Sequence, residues 1–244
     1  DVLFTGNTAV GGGGMFVSNS NAALNRVLFR NNTANRRGGG MLIEIADPTL
    51  TNVTFNGNTS NNNLADPRGG GAILIMGGTP VINNVTFSGN TSSANGVTGG
   101  AIRFTTEPVN VVASTPVIRN SIFWGDATSE ITSDGTGSIT ISSSVVQGGC
   151  PAATGVTCTG IVNSDPLLSA LANNGGFTQT MALSVGSSAI DIGNNATCAA
   201  TDQRGIARPI GLVCDIGAYE FQGATTIAVS PATGTYGGTV NLTS

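Results

Sequence analysis

The side chains best placed to do chemistry form a group of acids and arginines near the carboxyl end of the sequence. The group consists of Asp191, Asp202, Arg204, Arg208, Asp215 and Glu220. Carboxylates beside arginines can bind a polar ligand, and carboxylate oxygens are also preferred ligands of calcium. The same residue types satisfy backbone groups in irregular turns. An ion-pair network that staples a loop-rich segment is therefore the alternative, and we favour it.

Acids in the first part of the chain raise the question of a polysaccharide lyase or hydrolase. They are Glu44, Asp47, Asp66, Glu107, Asp126, Glu130 and Asp134. Glycan cleavage needs paired carboxylates or a calcium–carboxylate cluster with a nearby base. No two of these acids share a motif position in neighbouring copies of the repeat described below, so the sequence indicates no designed pair. We expect no enzyme activity and no cofactor, with calcium near Asp134 as a weak candidate.

Charge is scarce and acidic in this chain. Nine arginines and thirteen acids, with no lysine and no histidine, give a formal net charge of −4. Without histidine there is no Ser-His-Asp triad and no imidazole general base. The acidic balance argues against a nucleic-acid partner, which requires a basic footprint. No apolar run reaches the roughly 18 residues that a membrane span needs.

Trp124 is the best single candidate for contact with an outside partner. It directly follows Phe123, and strand alternation turns it outward if Phe123 points inward. Tryptophan combines a large apolar face with a polar N–H, which suits a glycan or protein surface. A loop that covers the ring is the alternative.

A repeat positions all these residues. One motif, Val-x-Phe-x-x-Asn-Thr, begins at Val2, Val27, Val53 and Val85, and a degenerate copy begins at Ser121. Glycine runs followed by apolar residues begin at Gly12, Gly38, Gly69 and Gly99. Each period of roughly 25 residues or more holds three short β-branched or aromatic segments between turn residues. The pattern predicts an all-β chain: a right-handed parallel β-helix with three short strands per coil and about six coils.

Stacking of coils about 4.8 Å apart places equivalent residues in columns. An internal aromatic stack is expected from Phe4, Phe29, Phe55, Phe87 and Phe123. An aliphatic stack is expected from Phe16, Leu42, Ile73 and Ile102. At the bend before the Val-x-Phe segments stand Asn52, Asn84 and Asn120. Because asparagine tolerates the left-handed conformation and its amide can bond the next coil, these three predict an asparagine ladder.

Four cysteines lie in the second half of the chain and suit an oxidising compartment. Three connectivities are possible, and local closure favours Cys150 with Cys158 and Cys198 with Cys214. A zinc site would normally use two Cys-x-x-Cys knuckles, which this sequence lacks.

Several motifs follow one another in order after residue 164. They include Asp165-Pro166-Leu167-Leu168, Asn173-Asn174-Gly175-Gly176, Thr201-Asp202-Gln203-Arg204-Gly205 and Cys214-Asp215-Ile216-Gly217-Ala218-Tyr219-Glu220. This segment resembles the choice-of-anchor Q domain of bacterial surface proteins, except that residues 177–183 lack an expected proline and histidine. The resemblance implies a segment that closes a right-handed β-helix, in a family whose members carry different C-terminal anchors.

Three regions follow: β-helix repeats over 1–149, a choice-of-anchor-Q-like segment with disulfides over 150–222, and a tail over 223–244. The tail resembles the first strands of a bacterial immunoglobulin-like repeat and is too short to bury a core alone. Either the rest of that domain is missing, or the strands pair with the β-helix or with a neighbouring chain. Because the sequence opens inside a repeat copy, we expect a piece of a longer protein.

Together these features predict a secreted, non-enzymatic structural or adhesive protein of the bacterial cell surface or matrix. The expected partners are a surface glycan or protein, or copies of the chain joined head to tail into filaments. No nucleic-acid partner and no membrane span are expected. A lyase-type β-helix enzyme that degrades polysaccharides is the alternative.

Overall fold

A computed structural model describes residues 1–61, 68–93, 99–106, 112–127 and 129–223. Asp66, Glu107 and the tail from residue 224 lie outside these ranges. The regular structure within them is seventeen β-strands in three sheets. The first sheet contains β1 (Val2–Thr5), β4 (Ala23–Arg30), β7 (Thr49–Asn56), β10 (Val81–Ser88), β13 (Val117–Arg119), β14 (Ile122–Phe123), β16 (Ile139–Val146) and β17 (Val156–Val162). The second contains β2 (Thr8–Gly11), β5 (Thr33–Arg37), β8 (Thr59–Ser60) and β11 (Thr91–Ser92). The third contains β3 (Met15–Ser18), β6 (Met41–Glu44), β9 (Ile73–Met76), β12 (Ile102–Thr105) and β15 (Ile131–Ser133).

Strands of one sheet pair in parallel with the equivalent strands one coil away. Val2 pairs with Val27, Val27 with Val53, and Val53 with Val85. Consecutive strands of the first four coils belong to three different sheets, so the chain winds as a parallel β-helix with three strands per coil. This confirms the fold that the repeat predicts.

The five repeat phenylalanines form one continuous stack inside the helix. Neighbouring ring centroids are 4.7, 4.6, 5.1 and 4.7 Å apart, and their planes differ by no more than 9°. Phe29, Phe55, Phe87 and Phe123 are fully buried, and Phe4 in the first coil packs against them. Because a one-residue slip would turn each ring to the other side of its strand, the stack fixes the register of the coils.

The glycine runs lie where neighbouring coils come closest. Their pairing also shows that the predicted aliphatic stack is wrong at Phe16 and Leu42. A Cβ on Gly39 would overlap the backbone carbonyl of Gly71 in the next coil. In the third coil Ala72 takes the place that Gly40 holds in the second, so the run beginning at Gly69 is offset by one residue. The inward column is therefore Met15, Met41, Ile73, Ile102 and Ile131. Phe16 and Leu42 face the other way, and Phe16 is 53 % exposed.

An asparagine ladder runs through the interior along the last residues of the Val-x-Phe-x-x-Asn motif. Its members are Asn7, Asn32, Asn58, Asn90 and finally Asp126. Each Nδ2 donates to the side-chain oxygen of the next member, over 2.9, 2.9, 2.9 and 2.7 Å. The same oxygen accepts the backbone N–H of the preceding member, over 2.6 to 3.1 Å. In Asn32, Asn58 and Asn90 the second amide hydrogen also has a partner: Asn58 Nδ2, for example, donates to the Phe29 carbonyl oxygen over 3.0 Å.

The prediction that Asn52, Asn84 and Asn120 form the ladder is wrong. They do adopt the left-handed conformation, with φ of 55°, 51° and 47°. Their amides, however, bond the segment after residue 164: Asn52 donates to the Thr201 carbonyl oxygen over 2.8 Å, and Asn120 to Thr197 Oγ1 over 3.0 Å. The left-handed bend turns these side chains out of the coil, whereas the motif asparagine after the phenylalanine points into it.

The segment from Asp165 to Phe221 lies along the outer face of the first sheet and is called the flank segment below. Beneath it the outward residues of the sheet are buried: Leu28, Thr54, Thr86, Ile122 and Val145. Gln203 Oε1 accepts a hydrogen bond from Thr54 Oγ1 over 2.6 Å, and Ala218 N donates to Thr86 Oγ1 over 3.0 Å. The resemblance implies a segment that closes the helix, whereas here it covers the side of several coils.

The asparagine ladder predicts how a single substitution changes the free energy of unfolding. Asn58→Ala removes an interior rung and leaves the Asn32 amide, the Phe29 carbonyl and the Asn90 side-chain oxygen short of partners. We expect the free energy of unfolding to fall by about 3 kcal/mol, because each unpaired buried group costs about 1–3 kcal/mol. Denaturant unfolding measures this, with the exposed Asn21→Ala as matched control. Equal stability of the two variants would show that the ladder contributes nothing.

Candidate functional site

Asp202 and Arg204 form the first half of the polar network in the flank segment. Arg204 Nη2 lies 2.7 Å from Asp202 Oδ2, and both side chains are buried. Asp202 Oδ1 also accepts the backbone N–H groups of Arg204 and Ile206, over 2.8 and 3.0 Å. The guanidinium carbon of Arg204 lies 3.6 Å from the centroid of the Tyr219 ring. The pair thus closes a turn and attaches it to the end of the segment.

Arg208 and Glu220 form the second half, and neither side chain has any exposed surface. Arg208 Nη1 lies 2.9 Å from Glu220 Oε2. Arg208 also donates to the carbonyl oxygens of Asp215 and Gly217, over 2.7 and 2.8 Å. Glu220 in turn accepts the backbone N–H groups of Ile210 and Asp215, over 2.7 and 3.0 Å. Burial lowers the pKa of Arg208, and the Glu220 carboxylate opposes that change.

Asp215 and Asp191 meet at the edge of this network. Asp215 accepts the backbone N–H groups of Asp191 and Phe221, and burial raises the pKa of Asp215 to about 6. Asp191 takes part through its backbone N–H, and its residue is exposed. The structure therefore brings five of the six predicted side chains together, bonded to internal groups. Within the described ranges no set of three or more His, Cys, Asp and Glu residues could hold a metal ion.

The disulfides reinforce the same part of the chain. Cys150 pairs with Cys158, with Cα atoms 6.0 Å apart, and Cys198 pairs with Cys214, with Cα atoms 6.7 Å apart. These are the two local pairings that the sequence favours. The first closes the loop that leads into β17, and the second lies within the flank segment.

Asp126 and Glu130 form a buried acid pair at the end of the asparagine ladder. Asp126 N donates to Glu130 Oε1 over 3.2 Å, and the residues are 8 % and 5 % exposed. Burial first, and then the Glu130 charge, raise the pKa of Asp126 well above its ordinary value, and burial also raises the pKa of Glu130. Asp126 Oδ2 and Glu130 Oε2 are buried without a hydrogen-bond partner, and the raised pKa values favour a protonated carboxyl group in this pair.

Sequence reasoning missed this pair because it compared acids at equivalent positions of neighbouring coils. Asp126 and Glu130 belong instead to one coil, four residues apart. The signal was present: Asp126 stands where the other motif copies have asparagine. Glycosidases place their two carboxyl groups at least about 5 Å apart with substrate between them. In this pair one oxygen of each acid is sealed from solvent, and Asp126 N–H donates directly to Glu130 Oε1.

Trp124 lies where the first sheet meets the flank segment. Its backbone N donates to the Phe87 carbonyl oxygen over 3.2 Å, which keeps the residue in the coil. The indole is partly buried against apolar residues of the flank segment. It also lines a cleft of about 440 Å³ together with Asp165, Leu167 and Ser184. The ring is thus partly covered and partly available.

Comparison with known families agrees with this geometry. A family model described as the right-handed beta helix region matches residues 1–167. The chain belongs to the right-handed β-helix family. The match covers the coils and ends at the start of the flank segment. Neither a curated protein nor a solved structure matches this β-helix chain. Across the described residues no helix is long and apolar enough to span a membrane.

The buried ion pair predicts a large effect from a small change. Glu220→Gln leaves the buried Arg208 cation without the carboxylate that contacts it directly, and breaking such a pair costs about 3–5 kcal/mol. We expect unfolding at lower denaturant and faster proteolysis within residues 165–221. The matched control is Asp191→Asn, an exposed carboxylate of the same segment, which should stay within about 0.5 kcal/mol of the parent. An unchanged midpoint for Glu220→Gln would exclude the stapling role.

The acid pair predicts a pH dependence of definite sign. The folded protein holds the Asp126 proton more tightly than the unfolded chain does. The contribution of Asp126 to the free energy of unfolding is therefore fullest below about pH 4 and is lost as pH rises through the folded-state pKa. Asp126→Asn keeps an oxygen for Asn90 and removes the titration. We expect it to stabilise the protein at pH 8 by about 1–3 kcal/mol and much less at pH 4.

Asp134→Asn serves as the control of opposite sign. Burial acts to raise the pKa of Asp134, but hydrogen bonds from Thr136, Thr106 and Thr105 prevail and lower it to about 2. Asp134 therefore adds stability above about pH 4 that is lost as pH falls towards 2, so Asp134→Asn should destabilise at pH 8. Denaturant unfolding at both pH values measures the two variants. Destabilisation of Asp126→Asn at pH 8 would contradict the raised pKa of Asp126.

Proposed function

We propose that this chain is a non-enzymatic structural or adhesive protein of the bacterial cell surface or extracellular matrix. The observation that carries the proposal is that the buried asparagine side chains bond from coil to coil, while buried ion pairs hold the flank segment together. The asparagine ladder links successive coils, and Asp202–Arg204 and Arg208–Glu220 hold the flank segment that covers them. A rod built in this way resists axial force, because the ladder and three sheets must break together.

The extracellular location is supported by two further features. Both disulfides suit an oxidising compartment. The flank segment resembles the choice-of-anchor Q domain, and the tail from residue 223 resembles the start of an immunoglobulin-like repeat. These resemblances support a rod that is joined to further surface domains or an anchor.

The finer part of the proposal is that copies join head to tail into filaments. Each sheet of a β-helix ends in a strand edge with unpaired backbone groups, which another chain can extend. The tail over residues 223–244 would add its strands to a neighbouring copy. Electron microscopy of the protein isolated from its source should then show fibres with an axial repeat of a whole number of coils.

Three outcomes decide among these roles. Fibres that disappear when residues 223–244 are deleted support assembly through the tail, and fibres that persist exclude it. Single short rods at high concentration exclude filaments and leave an adhesive stalk. Protease treatment of intact source cells should remove the protein, and full protection inside the cells would overturn the surface location.

A polysaccharide-degrading enzyme is the second candidate, because Asp126 and Glu130 bring two carboxyl groups close together within one coil. Incubation with acidic and neutral glycans, with and without calcium, tests it. The structural proposal expects no new reducing ends and no unsaturated products. Products that vanish with Asp126→Asn would establish the enzyme instead.

A further inference from the structure

The cleft beside Trp124 is lined by both apolar and polar side chains. It is an open cleft of about 440 Å³ between the first sheet and the flank segment, and this volume is within the usual range of small-molecule sites. We propose that it binds one or two rings of a neutral sugar. This inference rests on the proposed adhesive function and names the ligand class for it.

The apolar wall of the cleft suits the C–H face of a sugar ring. Trp124 provides an aromatic plane, and Leu167, Leu168 and Met181 surround it. Leu167 is 41 % exposed, so part of this apolar wall is open to solvent. Aromatic planes with one apolar face and one wet edge are typical of surfaces that contact amphipathic partners.

The polar rim supplies hydroxyl-binding groups on both sides of that wall. Ser88 comes from the coils, and Asp165 and Ser184 come from the flank segment. Asp165 Oδ1 accepts the backbone N–H of Leu167 over 2.8 Å, which fixes the carboxylate at the rim. A carboxylate accepts hydrogen bonds from sugar hydroxyls, and serine both donates and accepts.

Charge selects among sugars. Asp165 is the charged residue among the described residues that line the cleft, and the whole chain carries a formal net charge of −4. A uronic acid or sulfated sugar would place its anion beside Asp165 and be repelled. The cleft therefore suits neutral sugars and disfavours the acidic glycans that a lyase would take.

The aromatic side of the site is anchored in the coils. Trp124 follows Phe123 of the buried stack, and the next residue, Gly125, donates its N–H to Gln147 Oε1 over 2.8 Å. Side chains fixed on such elements lose little freedom on binding. A weak ligand can thus be held without rearrangement of the coils.

Trp124 is the one tryptophan of the chain, so intrinsic tryptophan fluorescence reports on this cleft alone. The full chain is titrated with cellobiose, maltose, lactose and N,N′-diacetylchitobiose, and with digalacturonic acid as the anionic probe. We expect a saturable change with at least one neutral disaccharide, half complete at about 1 mM, and none with digalacturonic acid.

Variants localise the signal. Asp165→Asn keeps the acceptor for Leu167 N and should weaken binding about tenfold through loss of the charged hydrogen bond. Phe177→Ala removes an aromatic that is 74 % exposed and lies outside the cleft, and it should bind like the parent. Saturation-transfer NMR should show no sugar contact in Trp124→Ala.

Three results would overturn the inference: no response to any neutral sugar, a response to digalacturonic acid alone, or unchanged affinity in Asp165→Asn. Each leaves the surface location and the rod shape untouched, since cell treatment and microscopy measure those separately. Conversely, if the protein binds a neutral sugar but is found inside cells, the proposed surface function is wrong and the inference about the cleft stands.

Discussion

A row of side-chain amides through the interior holds the coils of this β-helix in place, and most of the other features depend on it. Each asparagine from Asn7 to Asn90 donates towards the next coil, and Asn32, Asn58 and Asn90 also accept from the coil before. Aligned hydrogen bonds of this kind polarise one another, so the row is stronger than its separate members. It also occupies the corner beside the phenylalanine stack, where an unpaired backbone group would otherwise be buried.

A second row of asparagines has a different role, which is to bind the flank segment. Asn52, Asn84 and Asn120 sit at left-handed bends and turn their amides outward, where they bond the flank segment. One row therefore joins coil to coil, and the other joins the coils to their cover. The irregular flank segment can take a defined position because its backbone meets these amides at coil spacing, and the ion pairs of Arg204 and Arg208 then fix its turns.

The sequence predicts the coil architecture well because its signals are identities repeated at one position. The phenylalanines recur in register, so their stack follows from the period alone. The ladder could not be assigned in this way, since two asparagine columns recur with the same spacing and only the backbone at each corner decides which column points inward. Likewise, Ala72 stands where the neighbouring coil has Gly40, so aligning the glycine runs by their first residues shifts the third sheet by one residue. The acid pair lies within one coil, so a comparison of equivalent positions in different coils cannot detect it. The position of the flank segment depends on contacts between residues more than a hundred positions apart, which no local sequence pattern predicts.

The direction of the amide row has a consequence for how such a chain can lengthen during evolution. A duplicated coil anywhere between Asn7 and Asn90 carries both a donor and an acceptor, so it can enter the row without disturbing it. Asp126 accepts at the end of the row and has no amide hydrogen to pass onward. Growth by duplication is therefore possible on the amino-terminal side of this residue, and the carboxylate marks the point beyond which the row cannot extend.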